Sequence, residues 1–134
     1  MRGHRDLVAW QKAMELAKQV YVLTNSFPKH ELYGLSSQLR RAAVSIPSNL
    51  AEGATRNSQR EFSYFISTAR GSLAELETQI ELALFLQYIP IEAAKGLLAC
   101  ISDLGRLLTR LRNWSAGPHI ASNKQPETRN KKLP

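Results

Sequence analysis

Apolar residues return every three or four positions in four separate stretches of this chain, and that spacing limits the fold more than any other feature. Side chains at such intervals share one face of a helix, so each stretch must bury a stripe against neighbours. In the first stretch Leu7, Trp10, Met14, Ala17, Tyr21 and Thr24 form the stripe, widened by Ala13, Leu16, Val20 and Leu23. A helix is predicted from about Asp6 to Asn25, stopped by Phe27 and Pro28. The third stretch opens on "SQRE", which sets Ser58 and Glu61 at the positions of a capping box. Phe62, Ile66, Ala69, Leu73, Leu76, Ile80 and Ala83 follow. They predict a helix to about Gln87, with Gly71 in its middle expected to let a neighbouring backbone come close. In the fourth, Pro90 suits a first turn, and Ala94, Leu97, Ile101, Leu104, Leu108 and Leu111 carry the stripe towards Trp114.

The second stretch holds the one local contradiction, "LRRAAVSIPSNLAEG". A proline inside a helix costs about 3 kcal/mol. Yet Leu35, Leu39, Ala42, Ile46 and Leu50 keep helical phase across Pro47. A break normally resets that phase, so one helix from about Leu35 to Ala54 is expected, kinked at Pro47. The alternative is two shorter helices, the second beginning with the proline. In the single helix the Ala43 carbonyl loses its amide partner, and Ser45, Ser48 or a water is expected to compensate.

Four helices with short connectors predict an all-α, antiparallel up-down-up-down four-helix bundle over residues 1–114. Aromatics are only 7 % of the chain, against 43 % hydrophobic residues rich in Leu and Ala, which favours helix over sheet. Residues 115–134 are polar, hold Gly and three prolines, and read as a disordered basic tail. Cys100 is the sole cysteine, so no intrachain disulfide can form, and it is expected to be packed. With no apolar run of signal-peptide or membrane-span length, a cytoplasmic protein is expected.

The 18 basic and 11 acidic side chains leave a formal charge of +7, an excess that points to a polyanionic partner. In an up-down bundle, one end gathers Arg2, Arg5, Arg56, Arg60, Arg106, Arg110 and Arg112. The tail adds Lys124, Arg129, Lys131 and Lys132 there. These are the candidate nucleic-acid-binding residues, because a guanidinium is planar, always charged and able to grip phosphate with two bonds. The plainer reading is that Arg106, Arg110 and Arg112 complement a helix C-terminus. Arg40 and Arg41 lie nearer the middle and suit assembly as well as ligand binding. The opposite half carries Glu75, Glu77, Glu81 and Glu92.

Catalytic chemistry finds no foothold in this pattern. His4, His30 and His119 are scattered, without metal-ligand spacing, and no phosphate loop or Glu-x-x-His motif is present. No enzyme activity, metal or cofactor is expected.

Three segments, "DLVAWQKAMELAKQVY", "FPKHELYGLSSQLRRAAVSIPSNLAEG" and "GSLAELETQIELA", resemble the bacterial four-helix-bundle family of 23S rRNA intervening-sequence proteins. The resemblance covers about residues 6–113. It implies a homopentamer of four-helix bundles without established enzymatic activity. It also implies kinship with pentameric accessory proteins of diversity-generating retroelements, which bind nucleic acid and a reverse transcriptase. The expected function is therefore an oligomeric accessory factor that binds RNA or DNA. The alternative is a protein-interaction scaffold without nucleic-acid binding.

Overall fold

The computed structural model describes residues 3–116. Four α-helices carry the architecture: α1 Val8–Thr24, α2 Leu35–Ala54, α3 Gln59–Phe85 and α4 Ile91–Ala116. Single 3₁₀ turns precede α1 and α2, at His4–Asp6 and Lys29–Glu31. There is no strand among the described residues.

Interhelical contacts fix the directions. Gly53 near the end of α2 touches Phe62 and Phe65 at the start of α3. Ser45 meets Ser72 further along, and Glu31 before α2 reaches Tyr88 beyond α3. These helices are therefore antiparallel. Leu73 lies against Gly105, which sets α4 antiparallel to α3. α1 packs on α2 and α4, diagonal to α3. The result is the predicted four-helix bundle.

The stripes of α2, α3 and α4 point inward as expected. Leu39, Ile46, Leu50, Ile66, Leu76, Ile80, Leu104, Leu108 and Leu111 are all fully buried. Each such side chain contributes about 1.5–3 kcal/mol of burial. The stripe of α1 is rotated from the expected one. Its buried line is Ala9, Ala13, Leu16, Val20 and Thr24. Met14 and Tyr21 are instead 46 % and 45 % exposed, and Trp10 is half-buried. The apolar surface of α1 is wider than its neighbours can cover, so one edge faces outward.

α2 runs as one helix through Pro47, which is buried. The two-helix alternative is thus set aside. Continuity is favoured because Ile46 and Leu50, on either side of the proline, lie in the core. Beside the proline, Ser45 Oγ pairs with Ser72 Oγ of α3 at 2.8 Å. Asn49 Nδ2 donates to Ser45 O at 2.8 Å and to Ser45 Oγ at 3.0 Å. The expectation for Gly71 is corrected. It is exposed and a Cβ there would meet nothing within 4 Å, whereas at Gly53 it would lie 2.9 Å from Phe65 Cβ.

Helix ends follow local chemistry. Ser58 caps α3 by accepting from the Glu61 amide at 3.1 Å. Pro90 lies just outside α4, its carbonyl accepting from the Ala94 amide at 3.1 Å. Cys100 is exposed, not packed. Its position, one residue before the buried Ile101, turns it to the outer face.

Candidate nucleic-acid interface

The antiparallel register brings Arg5, the α2–α3 connector, the start of α3 and the last turns of α4 to one end of the bundle. Arg60 and Arg110 are exposed, and their side chains make no ion pair or hydrogen bond among the described residues. Arg56 is committed locally: it pairs with Glu52 and lies over the Phe65 ring at 5.0 Å. Arg112 donates to Asn113 Oδ1 at 3.2 Å. Arg5 is exposed, and its carbonyl accepts from Gln11 Nε2 at 2.7 Å. Arg2, Lys124, Arg129, Lys131 and Lys132 lie outside the described residues.

Arg106 stands apart from that end. Gly105 is level with Leu73, near the middle of α3, so Arg106 sits at mid-height. It pairs with Asp103 and donates to Ser102 Oγ at 3.0 Å. Beside it an open trough runs between α3 and α4. Arg70 of α3 and Arg106 and Arg110 of α4 line it, with Glu77 the acidic member. Ser67, Ser102 and Thr109 add hydroxyls, while Gly71, Ala74 and Gly105 keep it uncluttered. Arg70 was not among the residues expected from sequence. Finding it required the register of α3 on α4, which periodicity alone does not supply.

Arg40 and Arg41 diverge, as neighbours on a helix must. Arg40 Nε donates to Thr24 Oγ1 at 2.8 Å and its guanidinium lies 5.1 Å from the centre of the Tyr21 ring. It fastens α2 to the C-terminal turn of α1, where a cation also complements the helix dipole. Its partners within the chain, Thr24, Asn25 and Tyr21, are neutral. Arg41 is exposed and lines the furrow between α2 and α3, opposite Glu75.

Among the described residues no group of three or more His, Cys, Asp and Glu side chains could hold a metal ion. No described helix is long and apolar enough to cross a membrane. A basic four-helix bundle with arginines on one end and along one furrow is the class these features define. Residues 5–110 match the 23S rRNA-intervening sequence proteins, and the chain belongs to that family. It is similar in fold to a crystal structure of a protein of unknown function from the S23 ribosomal protein family of Bacteroides thetaiotaomicron VPI-5482. The TM-score is 0.74 at 22 % identity, over 79 % of this chain and 99 % of that one. A comparison with curated proteins finds no match.

Proposed function

We propose that this protein is a non-enzymatic, cytoplasmic, homopentameric accessory factor that binds rRNA or another structured nucleic acid. The observation that carries the reading is an excess of surface arginine without acidic partners, Arg60 and Arg110 exposed and Arg70 half-buried. Arg60, Arg70 and Arg110 have no ion-pair partner among the described residues, in a chain of formal charge +7. Cations left unpaired on a surface are available to displace counterions from phosphate, the main source of non-specific nucleic-acid affinity. The family's name associates it with 23S rRNA, which supports RNA as the natural polyanion.

Self-association has its own support. The outward edge of α1 joins Val44 of α2 in an apolar furrow lined by Trp10, Met14, Ala17 and Tyr21. Tyr33, 92 % exposed, and Leu32 extend that face. Burying such a face between copies would multiply the basic surfaces and raise avidity without new contacts per subunit. The same face favours a second reading, a protein-interaction scaffold.

A salt titration separates the two readings. Labelled RNA and DNA of unrelated sequence should both bind at low salt, with affinity falling linearly on a logarithmic salt axis. Undetectable affinity for both at low salt overturns the nucleic-acid reading and leaves the scaffold. Light scattering should give five times the 15.0 kDa chain mass; a monomer at micromolar concentration overturns the pentamer.

A further inference from the structure

The furrow between α3 and α4 differs in kind from the α2–α3 and α1–α2 furrows. The α2–α3 furrow sets Arg41 against Glu75, and the α1–α2 furrow is apolar. The α3–α4 furrow sets three arginines against one glutamate. Resting on the nucleic-acid reading above, we propose that it is the track for a single nucleic-acid strand. The strand's phosphates would lie on Arg70, Arg106 and Arg110, and an unpaired base would stack on Tyr64.

Shape selects a strand over a duplex. Packed helices lie only about 8–10 Å apart axis to axis. A furrow of that width receives one backbone, while a duplex would rest on the ridges. Gly71 adds no side chain to the rim, and a Cβ built there would meet no neighbouring element within 4 Å. Arg106 and Arg110 are one turn apart on α4, about 6 Å, and Arg70 faces them from α3. Arg106 is held by Asp103 in an exposed pair of the weak kind that a phosphate readily replaces. Ser67 and Thr109 offer hydroxyls for phosphate or sugar oxygens.

Tyr64 supplies the stacking surface. Positions 60, 64, 67 and 71 share one face of α3. Tyr64 therefore lies one turn beyond Ser67, on the way to Arg60. Its ring is 65 % exposed and is steadied edge-on by Phe65, centroids 5.0 Å apart. Beyond the furrow's end at Ser67, Tyr64 offers on the outer face of α3 the kind of exposed aromatic that single-strand binding uses, because every base has a π-face.

The test uses the full chain with a fluorescent oligo-uridine strand and an RNA duplex of equal length. The wild type should prefer the strand. Arg70→Glu with Arg110→Glu should weaken strand binding by about ten-fold or more, and lower the salt slope by about 1.4, two contacts at ~0.7 each. Tyr64→Ala should weaken the strand by about ten-fold and spare the duplex. Lys12→Glu with Lys95→Glu removes the same charge from exposed positions elsewhere and serves as control. Circular dichroism and light scattering verify fold and assembly in each variant. If the wild type binds neither probe, the functional reading itself fails. If it binds but the arginine pair and the lysine control lose affinity equally, the track is overturned while the reading stands. A changed oligomer with unchanged binding per subunit makes the furrow a subunit contact and likewise overturns the track.

Discussion

Gln87 holds a backbone conformation that side chains resist, with φ at 65°. The geometry follows from how α3 ends. The Tyr88 amide donates to the Ala83 carbonyl at 2.9 Å and the Gln87 amide to the Leu84 carbonyl at 2.9 Å, which places Gln87 at the left-handed position usually held by glycine. A non-glycine residue there costs about 1–2 kcal/mol. Gln87→Gly should therefore raise unfolding free energy by about 1 kcal/mol in urea denaturation, part of the relief being offset by glycine's greater unfolded-state entropy. Gly53 presents the opposite case. Alanine is the better helix former by about 1 kcal/mol, but its Cβ would stand 2.9 Å from Phe65 Cβ and 3.3 Å from Phe62 Cδ1. Overpacking of this kind costs about 1–3 kcal/mol. Gly53→Ala should be destabilising despite its helix propensity, and an unchanged denaturation midpoint would count against the close packing of α2 on α3.

Among the elements, the connectors are tied more firmly than their sequence suggests. Glu31 Oε1 accepts from the Leu35 amide at 2.9 Å, capping α2 from four residues upstream, while Glu31 Oε2 accepts from the Tyr88 hydroxyl at 2.8 Å. One carboxylate thus joins the start of α2 to the α3–α4 connector. The Leu35 amide first, and the Tyr88 hydroxyl second, hold the Glu31 carboxyl below its ordinary value. The bond to Glu31 in turn raises the Tyr88 hydroxyl above its ordinary value. The signs differ at the two ends of the pH scale. A depressed carboxyl stabilises the fold above its unfolded value of about 4.3, and that contribution is lost as pH falls through the lower folded value. A raised phenol stabilises below its unfolded value of about 10, and that contribution is lost as pH climbs through the higher folded value. Glu31→Gln should flatten both limbs of a stability–pH profile relative to the wild type; limbs that stay parallel would show that the brace contributes nothing. None of this was legible in "KHELYG", because Tyr88 lies 57 residues away and only the fold brings it near. The helices themselves were legible where one stripe dominated, as in α2, α3 and α4. In α1 two adjacent apolar lines competed, Trp10-Met14-Tyr21 and Ala13-Leu16-Val20, and periodicity cannot say which of two such lines a bundle buries.

At the scale of the whole molecule, charge is arranged more as a band than as a pole. The sequence placed Arg106 and Arg110 together at one end because both fall in the second half of α4. The register instead runs Arg106 alongside the middle of α3, so the basic surface descends the α3–α4 furrow. Arg40, expected nearer the middle, is bound to Thr24 and Tyr21 of α1. Ends of helices can be ranked from sequence, but heights and facings depend on pairing, which is why the arginine-rich end was legible and Arg70 was not. The segment following α4 enters from its composition alone. Residues 117–134 carry Lys124, Arg129, Lys131 and Lys132 against Glu127, so their removal lowers the formal charge from +7 to +4. Among the described residues the 25 of the contiguous buried cluster lie between Ala9 and Leu111, and a chain ending at Ala116 should keep its cooperative unfolding and its size by light scattering. Its affinity for an oligonucleotide should fall, and the salt slope should shrink by up to about 3 for a single strand, near 0.7 for each of four lost phosphate contacts. A truncated chain with an unchanged slope would confine binding to the bundle; one that lost cooperative unfolding would show that the segment belongs to the fold.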